Sequence, residues 1–166
     1  MKLTENHAYE QFFFSEETTD RLVSLALPFQ KPLLLCTPSL AVALAEKKRK
    51  FILLDRDRRF KKLRGYEQFD LRNPHMVFAK FDAIFADPPF SNISLEDFHR
   101  TVELLAQGAP RRPPLYLCYI NTREPALLRL FADFDLVRYP RPLGYRSVKG
   151  ATQDRIYLYG PPTGLR

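Results

Sequence analysis

Four short runs of this chain are apolar almost without interruption: PLLLCT (residues 32–37), FILLD (51–55), FDAIFAD (81–87) and LYLCYI (115–120). Runs of this length read as strands rather than helices, and the lack of in-out alternation marks strands covered on both faces. Helical patterns lie around and between them. SEETTDRLVSLAL (15–27) precedes the first run and has Ser15 as its cap. SLAVALAEKK (39–48) follows that run, with Ser39 placed to cap it. SLEDFHRTVELLAQG (94–108) follows the third run. Ser94 and Asp97 form its capping-box pattern, Leu95, Phe98, Val102 and Leu105 make one apolar face, and Gly108 ends it. PALLRLFADF (125–134) carries proline in its first turn. DLVRYPR (135–141) and DRIYLYG (154–160) close the chain as strand-like runs joined by a basic, glycine-containing loop. The order is helix, then β-α-β-loop-β-α-β-α, then two strands. It predicts an α/β fold with a mainly parallel sheet, helices on both faces and an antiparallel strand at one edge. No repeat, low-complexity tract or linker interrupts residues 1–166, so one domain is expected.

Composition narrows the partners. Lysine and arginine exceed the acids by enough to give a net charge of +7, which favours an anionic partner such as nucleic acid. Cys36 and Cys118 lie inside apolar runs and read as reduced core residues of a cytoplasmic protein. His7, His75 and His99 are scattered without ligand spacing, so no metal is expected. No apolar run approaches the roughly 18 residues of a membrane span. The first residues, MKLTENHAYEQ, do not resemble a signal peptide.

In open parallel sheets, ligands bind beyond the carboxyl ends of the strands. Asp55, Asp70 and Asp87 fall at or near such ends. The segment Asp87-Pro88-Pro89-Phe90 stands out. Two prolines remove N–H donors and fix the backbone, which leaves a carboxylate, a directed Pro88 carbonyl and a ring at the sheet edge. Asp-Pro is also a common stiff turn. Acceptors without competing donors are what an –NH2 group needs. An exocyclic amine on a base is a poor nucleophile because its lone pair is delocalised. Accepting both of its N–H bonds favours a tetrahedral, more nucleophilic nitrogen. Phe90 can stack on the base, a contact worth about 1–3 kcal/mol.

These residues resemble the [DNS]-PP-[YFW] signature of S-adenosylmethionine-dependent amino methyltransferases. Further stretches resemble the N6-adenine methyltransferase-like family within that group, which includes a zinc-knuckle ribosomal-RNA adenine methyltransferase and the elongation-factor-1A lysine methyltransferases. Gln11-Phe12-Phe13-Phe14-Ser15 is similar to the family's N-terminal Q-F-W/F-Y/F-S, and Thr37-Pro38-Ser39 follows the first strand as its turn does. Asp55-Arg56-Asp57-Arg58-Arg59-Phe60 is similar to its acid-x-D-x-R-F, and Asp70 follows in a Phe-Asp-Leu segment. The likeness spans residues 11–90; beyond them it is architectural.

The resemblance implies a Rossmann-like class I methyltransferase with S-adenosylmethionine as cofactor. It implies that Asp87, Pro88, Pro89 and Phe90 are catalytic. Asp55 is expected on the ribose hydroxyls, with Asp57 beside it, Asp70 on the adenine amine, and Thr37, Pro38 and Ser39 at the amino-acid end. Gln11, Phe13 and Ser15 are expected to lid the pocket, with Phe12 and Phe14 turned away. The usual glycine-rich loop is missing, for no glycine precedes Gly65. Arginines interleaved with tyrosines at 138–146 suit a single strand with stacked bases. Arg141, Tyr145, Arg146 and Lys149, with Phe90, are therefore the expected substrate contacts.

The leading expectation is methyl transfer to N6 of adenine in nucleic acid, RNA in preference to DNA. Little chain remains for reading a duplex, so a partner supplying specificity would fit. The alternative from another class is lysine methylation of an acidic protein. A third is an inactive nucleic-acid-binding subunit, against which the presence of Asp87 speaks.

Overall fold

The computed structural model describes residues 4–148 and 150–165. Its elements, in order, are α1 (Glu16–Ala26), β1 (Leu33–Leu35), α2 (Pro38–Glu46), β2 (Ile52–Asp55), β3 (Tyr66–Gln68), β4 (Ile84–Ala86), α3 (Leu95–Ala106), β5 (Leu115–Ile120), α4 (Glu124–Leu130), β6 (Val137–Pro142), α5 (Gly150–Gln153) and β7 (Ile156–Gly160). The sheet order is β3-β2-β1-β4-β5-β7-β6. β1 pairs in parallel with both β2 and β4, and β5 continues in parallel beside β4. The antiparallel pairing lies at one end, where β7 inserts between β5 and the outermost strand β6.

Successive residues of the central strands feed opposite layers, as the two-residue period requires. Leu33 and Leu35, with Ile84, Ala86, Leu115 and Leu117, pack against Phe98 and Val102 of α3 and Leu127 of α4. Leu34, Leu53 and Phe85 instead meet Leu22 and Val23 of α1 and Leu40 and Leu44 of α2. Each such side chain contributes about 1.5–3 kcal/mol by leaving water. That two-sided demand is why these runs show no polar alternation.

Local signals mostly set the helix starts. Ser15 Oγ accepts from Thr18 N–H at 3.3 Å, and Ser94 Oγ accepts from Asp97 N–H at 3.1 Å. Ser39 is not a cap: Thr37 holds the N-cap position and Pro38 opens the helix. Pro38 suits that place because its fixed φ is helical and its missing N–H would be unpaired anyway. Residues 66–68, expected as loop, form strand β3 at the sheet edge. The helix expected over 125–134 begins at Glu124 and stops at Leu130, followed by a 3-10 turn at Ala132–Phe134. The short α5 was not anticipated.

The strand order reverses between β1 and β4, which opens a crevice at their carboxyl ends. Just past β1, Cys36 adopts a left-handed conformation with φ 58° and donates its N–H to the Leu54 carbonyl at 3.0 Å. A non-glycine residue there costs about 1–2 kcal/mol. The turn therefore keeps a glycine-like geometry without a glycine.

Candidate active site

Asp87 emerges from β4 at this crevice, in the wall between two cavities. The first, of about 220 Å³, is lined by Asp55, Asp70, Cys36, Phe69 and Gln11 among others. The second, of about 610 Å³, is lined by Pro88, Phe90, Ile120, Tyr145 and Ile156 among others. Glu10, Phe12, Asp87 and Pro89 border both. Tyr145 donates its hydroxyl to Asp87 Oδ1 at 3.0 Å. Among the described residues, no donor reaches Asp87 Oδ2 or the Pro88 carbonyl. Burial pushes the Asp87 carboxyl up to about 8, with the Tyr145 hydrogen bond pulling the other way. Phe90 makes a T-shaped contact with Tyr119, ring centroids 5.1 Å apart, and lines the second cavity.

The first cavity is built around Asp55, which is only 5% exposed. Its Oδ1 accepts from Asp57 N–H at 2.8 Å, and its other oxygen has no protein donor among the described residues. Burial pushes the Asp55 carboxyl up to about 6, against the Asp57 N–H that favours the ionised form. A buried carboxylate with one open oxygen is suited to accept from a ligand hydroxyl. Asp57 faces away from it. Burial opposes its ionisation, but the Arg59 guanidinium and N–H and the Gln11 amide together hold its carboxyl below the usual range. Asp70 lies farther along the cavity, where the Arg72 guanidinium and N–H hold it low. Thr37 Oγ1, at the start of α2, is buried with no hydrogen-bond partner.

The N-terminal segment crosses the crevice and closes both cavities. Gln11 bonds Asp57 at 3.1 Å and accepts from Arg59 at 3.0 Å. Glu5 accepts from Phe13 N–H at 2.8 Å and also bonds His7 and Ser147. Glu10, in a left-handed conformation, accepts from Ser91 N–H at 3.2 Å, just after Phe90. Residues Phe14 and Tyr145 form an antiparallel bridge, with Ser15 N–H on the Gly144 carbonyl at 2.8 Å and Arg146 N–H on the Phe13 carbonyl at 2.9 Å. A side chain at position 144 would place its Cβ 2.6 Å from Ser15 Oγ, so this approach needs glycine.

The structure brings Gln11, Asp55, Asp70, Asp87, Pro88, Pro89, Phe90 and Tyr145 to the two cavities. The phenylalanine run differs from expectation at Phe12 and Phe13, while Phe14 is buried away from both cavities as expected. Phe12 borders both cavities, whereas Phe13 is buried against Phe60 and the α1–α2 layer. The segment does not alternate as a strand, because Phe13 and Phe14 both enter the same core layer beside the isolated bridge at Phe14. Ser15 caps α1 rather than facing a cavity, and Ser39 accepts from Phe14 N–H at 3.5 Å. Pro38 is buried at the first turn of α2. Asp57 lines a separate concavity shared with Asp70, Arg58 and Arg59. Arg141 lies beside Glu17 and Arg21 on another face, and Arg146 sits 5.8 Å over the Phe13 ring. Lys149 lies outside the described residues. Sequence reasoning missed Cys36, Phe69, Leu71, Tyr9 and Glu10 as lining residues. Phe69 and Leu71 were legible in principle, because apolar residues on both sides of Asp70 signal a carboxylate set in a pocket rather than a solvated turn.

A family model described as "Probable N6-adenine methyltransferase" matches residues 5–137. Of curated proteins compared by sequence, none matches. Among solved structures, a branched-chain polyamine synthase mutein from Thermus thermophilus, in complex with N4-aminopropylspermidine and 5'-methylthioadenosine, superimposes with a TM-score of 0.65 at 18% identity, over 96% of this chain. This chain spans 59% of that synthase's length. A TehB-like S-adenosylmethionine-dependent methyltransferase from Corynebacterium glutamicum gives 0.60 at 12% identity, covering 87% of this chain and 86% of that one. The N-methyltransferase NodS from Bradyrhizobium japonicum gives 0.56 at 14% identity, covering 96% and 99%. Likeness at these identities speaks to the fold, the Rossmann-like class I methyltransferase sheet. Among the described residues no helix is long and apolar enough to cross a membrane, and no cluster of His, Cys, Asp or Glu side chains could hold a metal ion.

Proposed function

The chain belongs to the probable N6-adenine methyltransferase family, which uses S-adenosylmethionine, and from that premise we propose that it methylates N6 of adenine in RNA. The observation that carries this reading is Asp87 with the Pro88 carbonyl in the wall between the two cavities, each with an unoccupied acceptor. The first cavity suits the cofactor. The open oxygen of buried Asp55 fits a ribose diol and Asp70 fits a donor on the base, while next to Cys36 in the chain the Thr37 hydroxyl is buried and unpartnered. When bound, S-adenosylmethionine supplies an electrophilic methyl group on a sulfonium.

The chain's own groups do the positioning. Asp87, in the ionised form that a cationic sulfonium beside it favours, accepts one N–H bond of the amine with Oδ2 and the Pro88 carbonyl accepts the other, which turns the lone pair out of conjugation and toward the first cavity. Phe90 and Phe12, the latter stacked on His7, are the rings lining the acceptor cavity against which a flat base would lie, while Ile120 and Ile156 keep water from the nitrogen. Most of the rate gain then comes from alignment and fixed dipoles, without a covalent intermediate. The net charge of +7 supports a polyanionic acceptor, and an unpaired RNA base reaches such a cavity without the cost of leaving a duplex stack.

One observation favours a second reading. The Glu10 carboxylate borders the acceptor cavity beside Asp87, which suits a lysine side chain before it sheds its proton. Incubation with radiolabelled cofactor and a matched cell extract, followed by nuclease or protease, separates the two. Label lost to nuclease is expected. Label that survives nuclease and is lost to protease would reject adenine in favour of lysine.

A further inference from the structure

Tyr145 occupies a place that a stacking residue would not. It is 6% exposed, its ring lies 5.2 Å from that of Phe14, and its hydroxyl reaches Asp87 from 58 residues away in sequence. The same hydroxyl also hydrogen-bonds the Cys118 thiol on β5. Its backbone is held by the bridge to Phe14, two residues from Phe12 in the cavity wall. The side chain thus has its edge in the core, its tip on the catalytic carboxyl and its backbone on the segment that closes the site. With its ring against Phe14 and little of it exposed, Tyr145 lines the second cavity as a fixed wall whose hydroxyl reaches Asp87.

We propose that Tyr145 is a positioning residue: its hydroxyl fixes one oxygen of Asp87, so that the other faces the acceptor amine, and does so only while the N-terminal segment is docked. The inference rests on the reading of Asp87 as the group that grips the amine. A rotating carboxyl would share its open lone pairs between both cavities. With Oδ1 held, Oδ2 has one direction. The docking of Phe12 to Ser15 and the aim of Asp87 then become a single event, because one bridge carries both.

Other groups around Asp87 set its background. Cys36 approaches from the end of β1, Cys118 from β5 and Glu10 from the N-terminal segment. Asp55 and Asp70, with Arg56 and Arg72, lie elsewhere in the first cavity, and His7 and Arg123 line the second. Among the described residues only Tyr145 donates a hydrogen bond to its carboxylate. Removing that donor disfavours the ionised form, so the titration of Asp87 must move upward.

The test is carbon-13 NMR of aspartate-labelled protein without cofactor, with the Asp87 carboxyl assigned by its loss in Asp87→Asn. In Tyr145→Phe the Asp87 titration is expected to move up by about half a unit or more. Turnover on the labelled extract fraction is expected to fall about 10- to 100-fold in kcat, with KM for the cofactor within about threefold. Replacing the tyrosine by 3-fluorotyrosine, a stronger donor of the same shape, is expected to move the titration down and covers the case in which Tyr145→Phe folds poorly. An Asp87 titration unmoved by both replacements overturns the proposal. If Asp87→Ala retains full turnover, the amine-gripping reading itself fails. If Asp87→Ala is inactive while Tyr145→Phe matches the native protein in titration and kcat, only the positioning role fails.

Discussion

The two cavities that meet at Asp87 are assembled in opposite ways. In the first, the acids are held by local sequence, Asp55 by Asp57 and Asp70 by Arg72, each pair two residues apart, with the N-terminal segment completing the wall. The second depends on segments far apart, with Tyr145 on Asp87, Thr18 on Gly144 and Ser147 on Glu5. Local pairs hold their acids low or leave one oxygen open in a predetermined direction. Distant pairs place a group only when whole elements have packed. On the proposed reading, cofactor recognition is therefore a property of short motifs, and acceptor chemistry a property of the finished fold.

The sharpest way to break this contrast is at the shared wall. Asp87→Ala should lower kcat by about 10²- to 10³-fold, the cost of losing a preorganised group aimed at the reacting centre. Its cofactor Kd, measured by calorimetry, should stay within about threefold. Equal loss in both would mean that the cavities are not separable.

Next in size is Asp55→Ala, which should weaken cofactor binding by about 10- to 100-fold through one charge-assisted contact. Turnover at saturating cofactor should change far less. A large kcat effect with unchanged Kd would reverse the assignment of the two halves.

A smaller effect concerns pH. The Asp87 carboxyl is raised to about 8, so it is largely neutral at pH 7 and ionised at pH 9. Affinity for the cationic cofactor should therefore rise about three- to tenfold between those values, while its uncharged thioether product should show a flatter profile. Stability follows the opposite sign. A carboxyl raised on folding binds a proton that the unfolded chain has already lost, so stability falls as pH rises from about 4 through 8. Asp87→Asn should accordingly raise Tm most at pH 9, about half as much at pH 6, and leave it nearly unchanged near pH 4, by scanning calorimetry.

The smallest expected change is in Gly144→Ala. Its Cβ would press on Ser15 Oγ, so the bridge must part by some tenths of an ångström. A loss of about 1 kcal/mol, or about 2–4 °C in Tm, is expected. Acceptor KM should respond more than cofactor Kd, because the bridge lies on the acceptor side.

The same contrast explains what the sequence made legible. The central strands were readable because their runs are buried on both faces, and Asp55 and Asp87 because they close such runs. β3 was missed because Tyr66 and Glu67 are only partly covered and Gln68 is exposed, which erases the apolar signature. Phe12 and Phe13 could not be assigned from their own residues, since register there is fixed by Tyr145, more than a hundred positions downstream. Tyr145 itself sits among arginines and looked like a stacking residue. Its neighbours in space, Phe14 and Cys118, are invisible to any local pattern. Ser39 was misplaced as a cap because Pro38 starts the helix two residues sooner than the hydroxyl suggests.

The bridge between Phe14 and Tyr145 also has a meaning for biosynthesis. The segment made early must wait for residues made 126 to 142 positions later, since Gly144 meets Thr18 and Ser147 meets Glu5 only after that much more chain exists. Contacts of such separation form late, after the loop-closure entropy has been met. A nascent chain emerging from the ribosome could thus hold the Asp55 motif in place yet lack an aimed Asp87. On the proposed reading, methylating power would switch on once residues 144–147 have been made and the N-terminal segment docks on them.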